Sequence, residues 1–166
     1  MNLKTPCTIW LMGPTSSGKT TISKKLVDFL HKSNFLIVHY DGDEIRNLFG
    51  EGFNFTEKNR FLVIKTLVYL ANKANQSGIP AIISALTAHK NAREYVKANI
   101  KNLCTVYIEC PINVCSERDP KGLYAKAKRG EINTLIGYNS NYVPPRKPNI
   151  TINTHELSIN ESINKL

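Results

Sequence analysis

Short apolar runs alternate along this chain with segments whose apolar residues recur at helical spacing. Thr8-Ile9-Trp10-Leu11-Met12 is a continuous apolar run that stops at Gly13, as a buried parallel strand does. After a glycine-rich stretch, residues 20–31 place Ile22, Leu26, Phe29 and Leu30 on one helical face. Residues 35–39 (FLIVH) predict a second strand. Thr56 is placed to cap a long helix. In it Phe61, Ile64, Val68, Leu70 and Ala71 recur near helical spacing until Ser77-Gly78 ends the pattern. Residues 79–85 (IPAIISA) predict a third strand with Pro80 near its start, residues 90–99 a helix, and residues 103–109 (LCTVYIE) a fourth strand. A short helix is expected over 112–118, a last edge strand at Ile150-Thr151-Ile152, and a closing helix over 156–166.

Strands alternating with helices imply an α/β fold, an open and mainly parallel sheet flanked by helices. The 166 residues suit one domain, 1–166, with one core. Residues 119–148 break the rhythm. They are rich in Lys, Gly, Asn and Pro, and a loop this long is functional or disordered.

Composition narrows the class. Hydrophobic residues at 42% and charged residues at 21% exclude disorder. The opening apolar run ends after five residues, at Gly13, so it reads as a strand rather than a signal peptide. No apolar stretch is long enough for a membrane span. Cys7, Cys104, Cys110 and Cys115 form no C-x-x-C pair and read as reduced thiols of a cytoplasmic protein. The formal net charge of +9 suits an anionic ligand. It would also suit RNA. The basic residues are spread out, however, and no nucleic-acid recognition pattern appears, so no nucleic-acid partner is expected.

The sharpest chemistry is Gly13-Pro14-Thr15-Ser16-Ser17-Gly18-Lys19-Thr20, a G-x-x-x-x-G-K-T phosphate loop between a strand and a helix. Its glycines let backbone amides converge on phosphate oxygens. Lys19 reaches the β and γ phosphates, the Thr20 hydroxyl ligates Mg²⁺, and Thr21 follows on the ATP side. The helix that starts here points its positive end at the same phosphates. Neither an N-K-x-D guanine reader nor a D-x-x-G switch is present where a GTPase would carry them, which argues against a GTPase.

Asp41-Gly42-Asp43-Glu44-Ile45-Arg46 follows the second predicted strand, at the sheet edge where such folds bind ligands. Asp43 is placed to accept the proton of an attacking hydroxyl. Arg46, three residues on, shares its helical face and suits an anionic acceptor. The plain alternative is a helix N-terminus that favours acids.

These blocks, with Phe55-Thr56-Glu57-Lys58-Asn59-Arg60 and the run from Glu117 to Ile132 (ERDPKGLYAKAKRGEI), resemble the adenylyl-sulfate kinase family over nearly the whole chain. The resemblance implies an ATP- and Mg²⁺-dependent kinase acting on the ribose 3′-hydroxyl of a small nucleotide, and adds a homodimer to the expectations. It implies Asp43 as base, with Lys19 serving ATP. Arg46 and Arg60 become clamps on the acceptor's phosphate end, Phe55 one face of a base sandwich, and Arg118 a neighbour of the ATP adenine. Residues 121–128 become a lid. Asp41, Leu86, Thr87, Lys121, Gly122, Leu123 and Leu135 complete the acceptor side.

Four positions depart from the family pattern. Val63 stands where an asparagine is usual, Leu86-Thr87-Ala88 where the family has I-S-P, Leu135 in place of a second clamping phenylalanine, and Asn59 in place of an acid. All four lie on the acceptor side. A sandwich with one aliphatic face holds a purine less firmly. Two acceptors therefore stand level: adenylyl sulfate, and the cytidine diphosphoramidate of a related capsule-synthesis kinase. The competing classes are a non-catalytic ATP-binding regulator and an RNA-binding protein.

Overall fold

The computed structural model describes residues 5–166; the first four residues of the opening segment lie outside it. Among the described residues, five strands form one all-parallel sheet in the order β2-β3-β1-β4-β5. They are β1 (Thr8–Met12), β2 (Val38–Asp41), β3 (Ala81–Ser84), β4 (Leu103–Glu109) and β5 (Ile150–Asn153). The helices are α1 (Lys19–Lys32), α2 (Gly42–Leu48), α3 (Glu57–Gln76), α4 (Lys90–Asn99), α5 (Ile112–Arg118), α6 (Leu123–Lys128) and α7 (Ile159–Asn164). No helix among the described residues is long and apolar enough to cross a membrane.

The sheet is buried on both faces. Along β1 the side chains alternate: Trp10 and Met12 enter a core shared with Ile64, Leu67, Val68 and Val96 of α3 and α4. Leu11 enters the opposite core with Ile22 and Leu26 of α1 and Val106, Ile108 and Ile152. Val63 is buried in the α3 core at a position helical spacing had not selected. Phe29, placed by that spacing on the buried face of α1, is 58% exposed instead. Its position lies past the edge of the sheet-facing stripe of α1, while Leu30 only packs against the core.

The second strand begins three residues later than the apolar run predicts. Phe35 and Ile37 pack against the α1 core, and Leu36 is exposed. Ladder pairing starts only at Val38, opposite Ala81. The shift makes Asp41 the last strand residue and puts α2 directly after it.

The segment 119–148 is not all loop. It contains α6, which buries Tyr124 and Ala127 in a small third core with Cys110, Cys115 and Leu135. The Asp119 carboxylate accepts the Ala125 amide at 2.9 Å and so holds the first turn of α6. The closing helix is shorter than expected. It begins after Ser158, whose hydroxyl caps it in a reciprocal capping box with Glu161.

Candidate active site

The carboxyl ends of the strands open into one cavity of about 620 Å³, a size that suits small-molecule ligands. The phosphate loop joins β1 to α1. Gly13 is required there because a Cβ would sit 2.4 Å from the Ile108 carbonyl oxygen of the neighbouring strand. Gly18 caps α1 at φ 96°, a left-handed conformation that favours glycine. The Lys19 ammonium donates to the carbonyls of Gly13 at 3.0 Å and Pro14 at 2.6 Å. Burial pushes its pKa down to about 8 against the pull of Asp43.

Asp41 is 4% exposed and ties three segments together. Its Oδ2 accepts the hydroxyls of Thr20 at 2.7 Å and Ser84 at 2.5 Å, and its Oδ1 accepts the Asp43 amide at 2.8 Å. Burial alone would raise the pKa of this carboxyl. The three donors outweigh that and hold it below the ordinary value. Asp41, expected on the acceptor side, is thereby a partner of the phosphate loop. Thr20 and Asp41 are hard oxygen donors of the kind magnesium takes alongside nucleotide phosphates. Among the described residues no cluster of three or more His, Cys, Asp or Glu side chains offers a self-sufficient metal site.

Asp43, the first acid of α2, reaches outward and pairs with Lys121, so the segment before α6 meets the acidic turn. Beside it stands a basic and aromatic corner. The guanidinium of Arg46 lies 4.4 Å and that of Arg60 5.2 Å from the centre of the Phe55 ring. Arg60 also donates to the carbonyls of Phe55 at 2.9 Å and Thr134 at 2.8 Å. Burial first, and then the positive charge of Arg46, push the Arg60 pKa down to about 10, with Asp43 acting the other way. Two cations held together here suit a ligand with more than one negative charge.

Thr15, Ser16, Gly18, Lys19, Thr20, Thr21, Asp41, Asp43, Arg46, Phe55, Arg60, Leu86, Thr87, Arg118, Lys121, Leu123 and Leu135 all line the cavity. Gly13 and Ser17 lie buried beneath the loop, and Pro14 faces a second, smaller depression beside Tyr107 and Tyr142. Gly122 is the left-handed cap of α6. Thr87 carries a structural duty as well, since its hydroxyl accepts the Trp10 indole N–H at 2.9 Å. Arg118 donates to the Thr154 carbonyl at 2.7 Å, and the Thr154 hydroxyl donates to Ser17 of the phosphate loop at 2.8 Å. Sequence reasoning missed Thr154. It also missed Ser84, though a serine closing the apolar run AII was a signal.

A profile of the family described as adenylylsulphate kinase matches residues 5–153. The chain belongs to the adenylyl-sulfate kinase family. An adenylyl-sulfate kinase of Rippkaea orientalis is 35% identical over 159 residues, 96% of this chain and 88% of the relative. A probable adenylyl-sulfate kinase of Pyrococcus abyssi is 36% identical over 154 residues, 93% of this chain and 88% of the relative. Among solved structures, the APS kinase of Mycobacterium tuberculosis in complex with AMPPNP and APS superposes with a TM-score of 0.89 at 27% identity. That match covers 96% of this chain and 94% of the other. Family membership makes this chain a kinase that uses ATP, and the phosphate loop at 13–20, the acidic turn at 41–43 and the segment 121–128 all lie in the matched region.

Proposed function

We propose that this kinase transfers the γ-phosphoryl group of ATP to the ribose 3′-hydroxyl of a nucleotide with an anionic phosphate tail. The observation that carries the reading is the bridging role of Asp41. One buried carboxylate holds Thr20 of the phosphate loop through Oδ2 and the backbone of Asp43 through Oδ1. The donor side and the acceptor side are thus fixed to a common point, which is what transfer between two bound molecules requires.

Lys19 leaves its two carbonyls for the β and γ phosphates. Magnesium, held by Thr20 and screened by Asp41, would neutralise charge on those phosphates. Asp43 exchanges Lys121 for the acceptor hydroxyl and takes its proton. Arg46 and Arg60 grip the anionic tail, and Phe55 supports the base. The lid from Lys121 onward closes over both nucleotides and excludes water, so that the hydroxyl is the nucleophile.

Adenylyl sulfate is the acceptor that the family favours. A second reading, cytidine diphosphoramidate, rests on the pocket wall. Leu135 and Val63 line it where the family pattern has a phenylalanine and an asparagine, so a base is stacked on one side only and lacks an amide contact. A coupled assay of ADP release across adenylyl sulfate, cytidine diphosphoramidate and other nucleotides tests both readings. One acceptor should raise turnover well above the ATPase background, with the new phosphate at the 3′ position by ³¹P NMR. If no acceptor does so, the nucleotide-kinase reading fails.

A further inference from the structure

We propose that Ser84 and His39 are positioning residues for the metal side of this site. A hydrogen-bond chain running from His39 through Ser84 to Asp41 fixes the direction in which Thr20 offers its oxygen to a divalent cation. The inference rests on the kinase reading above and assigns work to two residues which that mechanism leaves idle.

The chain is continuous. His39 Nε2 lies 2.9 Å from Ser84 Oγ, Ser84 Oγ 2.5 Å from Asp41 Oδ2, and Thr20 Oγ1 2.7 Å from the same oxygen. The fold builds it by register. Asp41 pairs with Ser84 across β2 and β3, and Ser84 with Leu11 of β1, the strand that feeds the phosphate loop. His39 precedes Asp41 by two residues, so both side chains leave β2 on the same face. Ser84 is 2% exposed, and water does not substitute easily for its contacts.

The proton positions follow from the chemistry of the groups. Asp41 faces an amide N–H and two hydroxyls and serves as the acceptor for all three. Both hydroxyl protons on Oδ2 are therefore donated to it. With its single proton spent on Asp41, Ser84 can only accept from His39, which sets that ring as the Nε2–H tautomer. Thr20 has likewise spent its proton on Asp41, and its lone pairs are turned away from that carboxylate. A hydroxyl fixed this way meets a cation without first having to rotate. Without Ser84 the Asp41 carboxylate loses its shortest donor and the constraint that keeps Oδ2 aimed at Thr20.

A plain packing role would show only as lost stability, so the test reads cation dependence. ATP affinity is titrated calorimetrically with EDTA and across a Mg²⁺ series, and Mn²⁺ binding to the ATP complex is followed by electron paramagnetic resonance. Ser84→Ala should leave metal-free ATP binding within about twofold and raise the half-saturating Mg²⁺ by about tenfold, the usual effect of removing a partner of a ligating group. Ser84→Thr should restore it. His39→Phe should act in the same direction, and His39→Gln, which keeps a donor, should recover most of the loss. If half-saturating Mg²⁺ and the Mn²⁺ affinity stay within twofold in folded variants whose melting temperature has fallen, the chain is packing and the proposal is overturned. Should Ser84→Ala fail to fold, the two His39 variants decide on the same readouts. Loss of metal-free ATP binding in all variants would also overturn it. Failure of the nucleotide-kinase reading appears separately, as absent acceptor turnover in the wild type.

Discussion

Lys121 pairs with Asp43 across 78 residues of sequence, so a cation just before α6 rests on the acid we propose as base. Both side chains are more than half exposed, and the pair is worth little to stability. In the mechanism proposed above, Asp43 exchanges this partner for the acceptor hydroxyl before it takes a proton. Asp43→Asn keeps the size and removes the base. Its kcat should fall by at least about a hundredfold, the reach of a general base, while ATP affinity by calorimetry stays close to wild type. A drop in kcat of less than threefold would remove Asp43 from that role.

Thr87 serves the core as well as the cavity. Trp10 is fully buried, and its indole N–H donates to the Thr87 hydroxyl at 2.9 Å. Thr87→Val keeps the β-branched shape and strands that N–H away from water, which costs about 1–3 kcal/mol. Urea denaturation should show a loss of that size, and Thr87→Ser should recover most of it. Unchanged stability in Thr87→Val would mean that the indole finds another acceptor.

How much of this was legible in the sequence depends on how local each requirement is. The phosphate loop needs eight consecutive residues and two flanking elements. Residues 13–20 therefore announced it, and the strand before it falls on Thr8–Met12 as expected. The second strand was misplaced because apolarity does not distinguish side chains that pair from side chains that cover a helix. Phe35 and Ile37 do the latter, and the start of β3 at Ala81 fixes where pairing begins. The bond from Asp41 to the phosphate loop was hidden for a related reason. The partners of Asp41, Thr20 and Ser84, come from elements 21 and 43 residues away, and only the sheet order brings them together. Helix α6 was hidden by its six-residue length and by the glycine that caps it.

The thiols make the protein sensitive to alkali. Burial first, and then the neighbouring Cys110, push the Cys115 thiol up to about 12 from 9.0. A folded pKa above the unfolded one means the native state keeps its proton longer. That contribution is complete below pH 9 and is lost as pH rises from 9 towards 12. Lys19, pushed down to about 8 from 10.5, works in the opposite direction, adding stability as pH rises from about 8 to 10.5. Comparing wild type with Cys115→Ala isolates the thiol: the stability advantage of the wild type should shrink as pH rises through 9 to 11 in urea titrations. In folded protein at pH 8, iodoacetamide should modify the half-exposed Cys7 and Cys104 before the buried Cys110 and Cys115. Equal rates at Cys115 and Cys7 would contradict the burial.

Position 135 offers a way to separate the two acceptors by design. Leu135 is 5% exposed, lines the cavity, and follows Thr134, whose carbonyl accepts from Arg60. Arg60 in turn lies against the Phe55 ring. The Leu135 wall is thus tied to the aromatic platform through one arginine. Its other side packs against Tyr124, Ala127, Cys110 and Cys115, so a larger side chain at 135 has room only towards the cavity. Leu135→Phe should therefore present a second ring to the acceptor base. An added aromatic contact is worth about 0.5–1.5 kcal/mol, and a purine offers it more area than a pyrimidine. The ratio of kcat/KM for adenylyl sulfate over cytidine diphosphoramidate should rise by roughly two- to threefold in the variant, since both bases gain the contact and only the difference counts, with KM for ATP unchanged. An unchanged ratio in a folded, active variant would show that residue 135 does not meet the base. A fall would show that the added ring blocks the purine instead of stacking on it.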